Sequence, residues 1–211
     1  MNVASLPRVM VAVAQNLSLA EVLRTVVTGI AGCNNVVLAR IWLFGPGDLC
    51  ASCRFADDCA DRTRCLHLEA SAGNVTTAGV DAGNLHGGFR RFPNGHRKIG
   101  RVAASGEPML LRDLTGDEAW VVDRDWFRAE QIRSFAAQPL VFRGEVLGVI
   151  AVFDRQSLTT EDLQWLRVFA DHAAVSIAHA RAFEEIDRLR AKLAAENAYL
   201  HEEVERANAA A

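Results

Sequence analysis

Hydrophobic and polar positions recur along this chain with two periods, and the switches between them mark out its elements. Behind Leu6-Pro7, the apolar residues Val9, Met10, Val13 and Leu17 stand at helical spacing. A second helical run opens at Ser18. Glu21, three residues on, makes a capping-box arrangement, Val22, Val26 and Ile30 follow at steps of four, and Gly29 and Gly32 close the run. From Val36 to Phe44 the chain is β-branched and aromatic, then stops at Gly45-Pro46-Gly47, which predicts a strand entering a turn. The polar stretch 48–65 predicts a loop, and the alternation of Leu66-His67-Leu68-Glu69-Ala70 predicts the next strand. Ser71 to Gly95 is glycine-rich and irregular, a loop length that compact domains keep for function or mobility.

The second half is more regular. Arg97 to Ser105 predicts a short helix ended by Gly106, and Met109 to Leu111 a short strand leading to a turn at Asp113. Two apolar runs, Ser134 to Phe142 and Val146 to Phe153, flank Arg143-Gly144-Glu145 and predict a β-hairpin. From Thr159 one helix is expected nearly to the end, capped by Thr159 or Thr160 and free of internal proline and glycine. Up to about Ala182 its apolar residues are dense enough for a face packed on a domain. Beyond it, Phe183, Ile186, Leu193, Leu200, Val204 and Ala207 keep heptad spacing with Arg190 and Asn197 in the seam, the pattern of a dimeric coiled coil. The expected organisation is a domain over 1–182 and a helical coiled-coil linker over 183–211.

Composition narrows the function classes. The 211 residues carry 23 basic and 26 acidic side chains, so no net positive field exists to hold nucleic acid. No apolar run approaches the ~20 residues of a membrane helix and no charged segment leads an apolar N-terminal stretch, so a cytoplasmic protein without membrane contact is expected. G-x-S-x-G, H-E-x-x-H, G-x-G-x-x-G after a strand and the phosphate-cradling G-x-x-x-x-G-K-[ST] run are all absent, which argues against an enzyme.

Cysteine is the exception to an ordinary composition. Cys50, Cys53, Cys59 and Cys65 fall within 16 consecutive residues at the spacing C-x2-C-x5-C-x5-C, in a cysteine-rich loop over 48–66. A C-x2-C turn points two sulfurs the same way, and two further thiolates complete a set suited to tetrahedral zinc or a 4Fe–4S cluster. Only one C-x2-C knuckle is present and no proline follows a cysteine, so the spacing leaves zinc and cluster both open. Free thiols on a flexible loop and a reversible disulfide switch are the competing readings. Cys33, just past the second helical run, reads as a packed structural cysteine. His67, on the far side of its strand, reads as facing solvent or as a satisfied polar contact, with ligation as the alternative. His86 and His96 in the irregular region, and Trp120 and Trp126 flanking Asp123, are candidate ligand-binding residues. For the histidines the alternative is a solvated loop, and for the tryptophans core packing.

The segment Ile132-Arg-Ser-Phe-Ala-Ala-Gln-Pro-Leu-Val-Phe-Arg-Gly-Glu-Val-Leu-Gly-Val-Ile-Ala-Val-Phe, followed by Leu158-Thr-Thr-Glu-Asp-Leu, resembles the closing half of a GAF domain. Gly100-Arg-Val-Ala-Ala-Ser-Gly-Glu-Pro is similar to that family's helix ahead of its next strand. The likeness implies an α+β fold: an antiparallel β-sheet with the terminal helices packed together on one face, a pocket under loops on the other, and a long C-terminal signalling helix. It implies a sensory or regulatory domain that forms a homodimer through its terminal helices and signals to a downstream effector. The tail from Arg188 is similar to the linker between GAF sensors and the ATPase module of sigma-54-dependent transcriptional activators. That likeness makes transcription regulation the expected output. Methionine sulfoxide reductases of the same family use cysteines, so a thiol-based redox enzyme is the alternative. The cyclic-nucleotide signature N-K-x-n-F-x3-D-E is absent.

Overall fold

A computed structural model describes residues 18–33 and 35–209; the helical run from Leu6 to Leu17 lies outside them. Helix α1 spans Leu19–Ala31, with Ser18 at its N-cap making no side-chain capping bond and Gly32 at its C-cap. The strands are β1 (Val36–Pro46), β2 (Arg64–Ala72), β3 (Arg91–Pro93), β4 (Met109–Leu111), β5 (Ser134–Phe142) and β6 (Glu145–Asp154). Helix α2 (Arg97–Ser105) precedes β4, α3 (Arg124–Ala129) precedes β5, and α4 runs from Thr160 to Ala209. At about 1.5 Å per residue, α4 is roughly 75 Å long. Thr159 and Asp162 cap it reciprocally: the Thr159 amide donates to Asp162 Oδ2 at 2.9 Å and the Asp162 amide to Thr159 Oγ1 at 3.2 Å.

Six strands form one sheet in the order β3-β2-β1-β6-β5-β4, with antiparallel pairing throughout. The β5–β6 hairpin closes in two residues, Arg143 (φ 51°) and Gly144 (φ 83°), with Phe142 paired to Glu145. Two consecutive positive φ angles match the right-handed twist of the flanking strands, which explains a glycine there. Asp113 takes a similar left-handed corner after β4, at φ 53°.

Strand alternation sends side chains to two cores. On one face Val36, Ala39, Ile41, Leu43, Ile150 and Val152 pack under α1 (Val22, Val26, Ile30) and the first half of α4 (Leu166, Phe169, Ala173, Ile177). Cys33 is half-buried against this core, and the terminal helices share this face as expected. On the other face Trp42, Leu66, Leu68, Phe135, Val149 and Ala151 meet Ile99 and Val102 of α2 and Phe127 of α3. The short helices thus take part of the face expected under loops.

The irregular stretch after β2 is pinned. Glu130, fully buried, accepts from the amides of Thr76 (2.9 Å) and Thr77 (2.7 Å), from both their hydroxyls, and from Arg155 Nη2 at 2.6 Å. Asn74 Nδ2 donates to the carbonyls of Ala31 (2.6 Å) and Val36 (3.0 Å). These bonds satisfy backbone groups that a loop over a core would leave stranded. Among the described residues, no helix is long and apolar enough to cross a membrane.

Candidate functional site

The cysteine loop leaves β1 at Pro46 and returns in β2, closing tightly at its base. The Gly47 amide donates to the Thr63 carbonyl at 2.8 Å, and a Cβ at Gly47 would fall 1.8 Å from the Arg62 carbonyl oxygen. Only glycine lets the two ends approach this closely. At its far side the loop is anchored by Phe55, 3% exposed, which stacks on Phe92 (centroids 5.1 Å apart) and contacts the Phe89 ring at 6.5 Å. Burying one phenylalanine contributes about 1.5–3 kcal/mol, enough to hold a polar loop in one conformation. Lone among polar neighbours, Phe55 gave no periodic signal in the sequence.

Between these two fixings the four cysteines line one cavity, together with Leu49, Arg62 and Arg91. Cys50, Cys53 and Cys59 come from the loop, whereas Cys65 lies within β2, paired with Gly45 on one side and Pro93 on the other. All are half-buried free thiols. The Phe55 amide donates to Cys53 Sγ at 3.4 Å. Cys50 Sγ lies 3.4 Å from the Arg62 carbonyl and Cys59 Sγ 3.0 Å from that of Asp61. Burial pushes the Cys65 thiol up to about 11 and raises that of Cys59, to which neighbouring Cys50 and Cys53 add.

The spread of the sulfurs bears on what they can hold. One zinc with Zn–S near 2.3 Å needs four sulfurs about 3.8 Å apart. Among the described residues, the only three donors within 4.8 Å of one another are those of Asp48, Cys65 and His67, so no three of the four sulfurs are that close.

Asp48 and His67 stand beside Cys65, each with a donor atom within 4.8 Å of its sulfur. Asp48 accepts from Arg91 Nε (2.9 Å) and Nη2 (2.6 Å), and this hydrogen-bonded pairing holds its carboxyl far below the ordinary carboxylate range. His67, 8% exposed, sits against Gly45 with Nε2 2.7 Å from the Pro46 carbonyl oxygen. It is the satisfied polar contact its strand position suggests. With Asp48 bound by a two-pronged guanidinium and His67 by a carbonyl, the trio is already occupied by protein partners.

The other candidate residues are dispersed. His86 lines a second cleft beside the cysteine cavity, while His96, Trp120 and Trp126 line neither. His96 contacts the Phe55 ring at 5.5 Å, with Nε2 3.3 Å from Asp58 Oδ2. Trp120 packs edge-on to Phe127 (5.9 Å) and carries Lys98 Nζ 3.1 Å above its ring; burial lowers that ammonium to about 7. Trp126 donates its amide to Asp123 at the start of α3, and its buried indole nitrogen has no partner among the described residues.

A six-stranded antiparallel sheet with paired helices on one face and a helix leaving the domain defines a sensory or regulatory α+β module. The family model for the GAF domain matches residues 17–177, and the chain belongs to that family. It is 32% identical over 108 residues to the formate hydrogenlyase transcriptional activator FhlA of Escherichia coli K12, covering 49% of this chain and 16% of that protein. It is 25% identical over 104 residues to a probable 3',5'-cyclic phosphodiesterase, pde-5, of Caenorhabditis elegans, covering 48% of this chain and 14% of that one. Among solved structures, the GAF domain of an Acinetobacter phosphoenolpyruvate-protein phosphotransferase superposes with TM-score 0.60 at 18% identity, covering 86% of this chain and 96% of that one. A free methionine-R-sulfoxide reductase from Neisseria meningitidis superposes with TM-score 0.58 at 16% identity, covering 84% and 89%. Such likenesses concern the fold.

Proposed function

We propose that this chain is a cytoplasmic sensor domain whose cysteine cavity holds an iron–sulfur cluster, and that it signals as a homodimer through α4 to an effector controlling transcription. The observation that carries this reading is the placement of four thiols from a loop and a strand around one cavity. Cys50, Cys53, Cys59 and Cys65 would be the ligands, and the group would supply one-electron redox chemistry and sensitivity to oxidants. Arg62 on the wall offsets part of the negative charge of four thiolates. The local likeness to the E. coli activator supports transcription as the output.

The chain's own part is to hold the loop and transmit its position. Cys65 is paired with Gly45, next to Phe44, and Phe44 is hydrogen-bonded to Arg181 of α4. A shift of the loop therefore bears directly on the helix where it leaves the domain.

Anaerobic purification with iron, zinc and acid-labile sulfide assays and an absorption spectrum tests the reading. Brown protein with matching iron and sulfide supports it. Stoichiometric zinc without sulfide replaces it with a structural site, and metal-free protein whose free-thiol count changes with oxidation replaces it with a thiol switch.

A further inference from the structure

The second cleft lies between the cysteine loop and residues 86–91, and its volume is about 130 Å³. Arg54, Arg90, Arg91 and His86 line it, and no carboxylate does. Arg91 is committed to Asp48. Neither Arg54 nor Arg90 forms an ion pair among the described residues, so two guanidinium groups face one cleft uncompensated. Like charges gathered on one wall repel one another, and an anion between them relieves that repulsion.

Backbone and stacking prepare the same space. Arg54 lies over the Phe89 ring, 5.0 Å from its centroid, which holds the guanidinium at the cleft. Gly87 and Gly88 form part of the wall, and nothing lies within 4 Å of where a Cβ on Gly87 would stand. The amides of both glycines make no hydrogen bond among the described residues. Adjacent unbonded amides without side chains leave the backbone open to a ligand, with Arg54 Nη1 beside Gly88, 3.1 Å from where its Cβ would stand.

We propose that this cleft is a binding site for a small anion bearing a carboxylate or phosphoryl group, held by the Arg54 and Arg90 forks and the Gly87-Gly88 amides. Fork geometry suits both groups, and a cleft of this size takes only a small anion. Cys53 lines both this cleft and the cysteine cavity, so the anion binds against one of the four sulfurs. The site stands on the cleft's own residues and does not require a metal in the neighbouring cavity.

The test is calorimetric titration of the full chain with inorganic phosphate and, separately, with succinate, at constant ionic strength against a chloride control. It is run on protein as purified and after metal removal by chelation. Saturable binding of one equivalent of either probe is expected, tighter for the group the site prefers. In Arg54→Gln/Arg90→Gln protein, affinity falls at least tenfold while the thermal midpoint without probe and the iron content stay at wild-type values. No saturation above the chloride control with either probe overturns the proposal, as does unchanged affinity in the double variant. Binding of heparin alone also overturns it and makes the cleft part of a larger basic surface. Iron content, read on the same samples, reports separately on the cysteine cavity.

Discussion

Arg181 of α4 donates from Nη2 to the carbonyl oxygen of Phe44 at 3.3 Å, joining residues 137 positions apart. The ring of Phe44 is held from the other side, with the Arg64 guanidinium 4.1 Å from its centroid, and Arg64 directly precedes Cys65. Phe44 is thus gripped through its backbone by the outgoing helix and through its ring by the strand that carries a cysteine. One residue links the cavity to the tail.

Replacing Arg181 with glutamine removes the bond and leaves the core untouched. The loss is expected to be about 1 kcal/mol or less in urea denaturation. In wild-type protein, chelation of the metal is expected to change amide hydrogen exchange over residues 183–200; in the variant that response is expected to vanish while the metal content stays the same. An undiminished response in Arg181→Gln protein would place the link elsewhere.

The cysteine cavity predicts a sharp division among five otherwise similar residues. Serine at Cys50, Cys53, Cys59 or Cys65 is expected to abolish or severely reduce bound iron, because each is one of the four donors around the same cavity. Cys33→Ser is expected to keep full iron and to cost about 1 kcal/mol, since Cys33 packs against the helix-side core. Iron per chain for the five variants decides it. Loss in the Cys33 variant alone, or in none, contradicts the assignment.

Glu130 makes stability depend on acid. Burial works to raise its carboxyl, but the hydrogen bonds from Thr77 and Thr76 outweigh that and hold it at about 2, below its value of 4.5 in an unfolded chain. A carboxyl depressed on folding stabilises the fold above the unfolded value, and that contribution fades as pH falls from about 4.5 towards about 2. Urea midpoints for wild type should therefore drop steeply over that window. Glu130→Gln, which removes the charge partner of Arg155 and leaves it only the Asn74 carbonyl, should be about 3–5 kcal/mol less stable at pH 7 and show a much flatter profile. Parallel pH profiles for the two proteins would show that Glu130 is not the group responsible.

Much of the fold could be read from local pattern, and the parts that could not have a common cause. The β5–β6 hairpin, α2 with its Gly106 terminus and the Thr159 cap are each specified within about ten residues by period and turn chemistry. The cysteines were visible because thiols are rare and their spacing short. Phe55, Asp48 and Arg181 were not, because each acts through a partner remote in sequence: Phe92, Arg91 and Phe44. The irregular stretch after β2 looked mobile for the same reason. Its anchor, Glu130, lies 53 residues beyond Thr77, and nothing near either residue announces the pair.

The second half of α4 presents a row that the domain does not cover. Ile186, Leu193 and Leu200 stand seven residues apart and are 43%, 60% and 50% exposed, and Phe183, half-exposed, joins them one turn earlier. A lone helix keeps such a row in water at a cost, whereas a parallel second copy buries it from both sides. If each of Ile186 and Leu193 contributes about 1 kcal/mol on burial, two copies lose about 4 kcal/mol when both are replaced by glutamate, roughly a thousandfold in dimer affinity. Sedimentation equilibrium is expected to show a dimer for the wild-type chain and a monomer for Ile186→Glu/Leu193→Glu. The circular dichroism of the domain should stay unchanged, since both side chains lie outside its cores. A wild-type chain that stays monomeric at high concentration would refute this pairing, and the helix would then need a different partner to cover the same row.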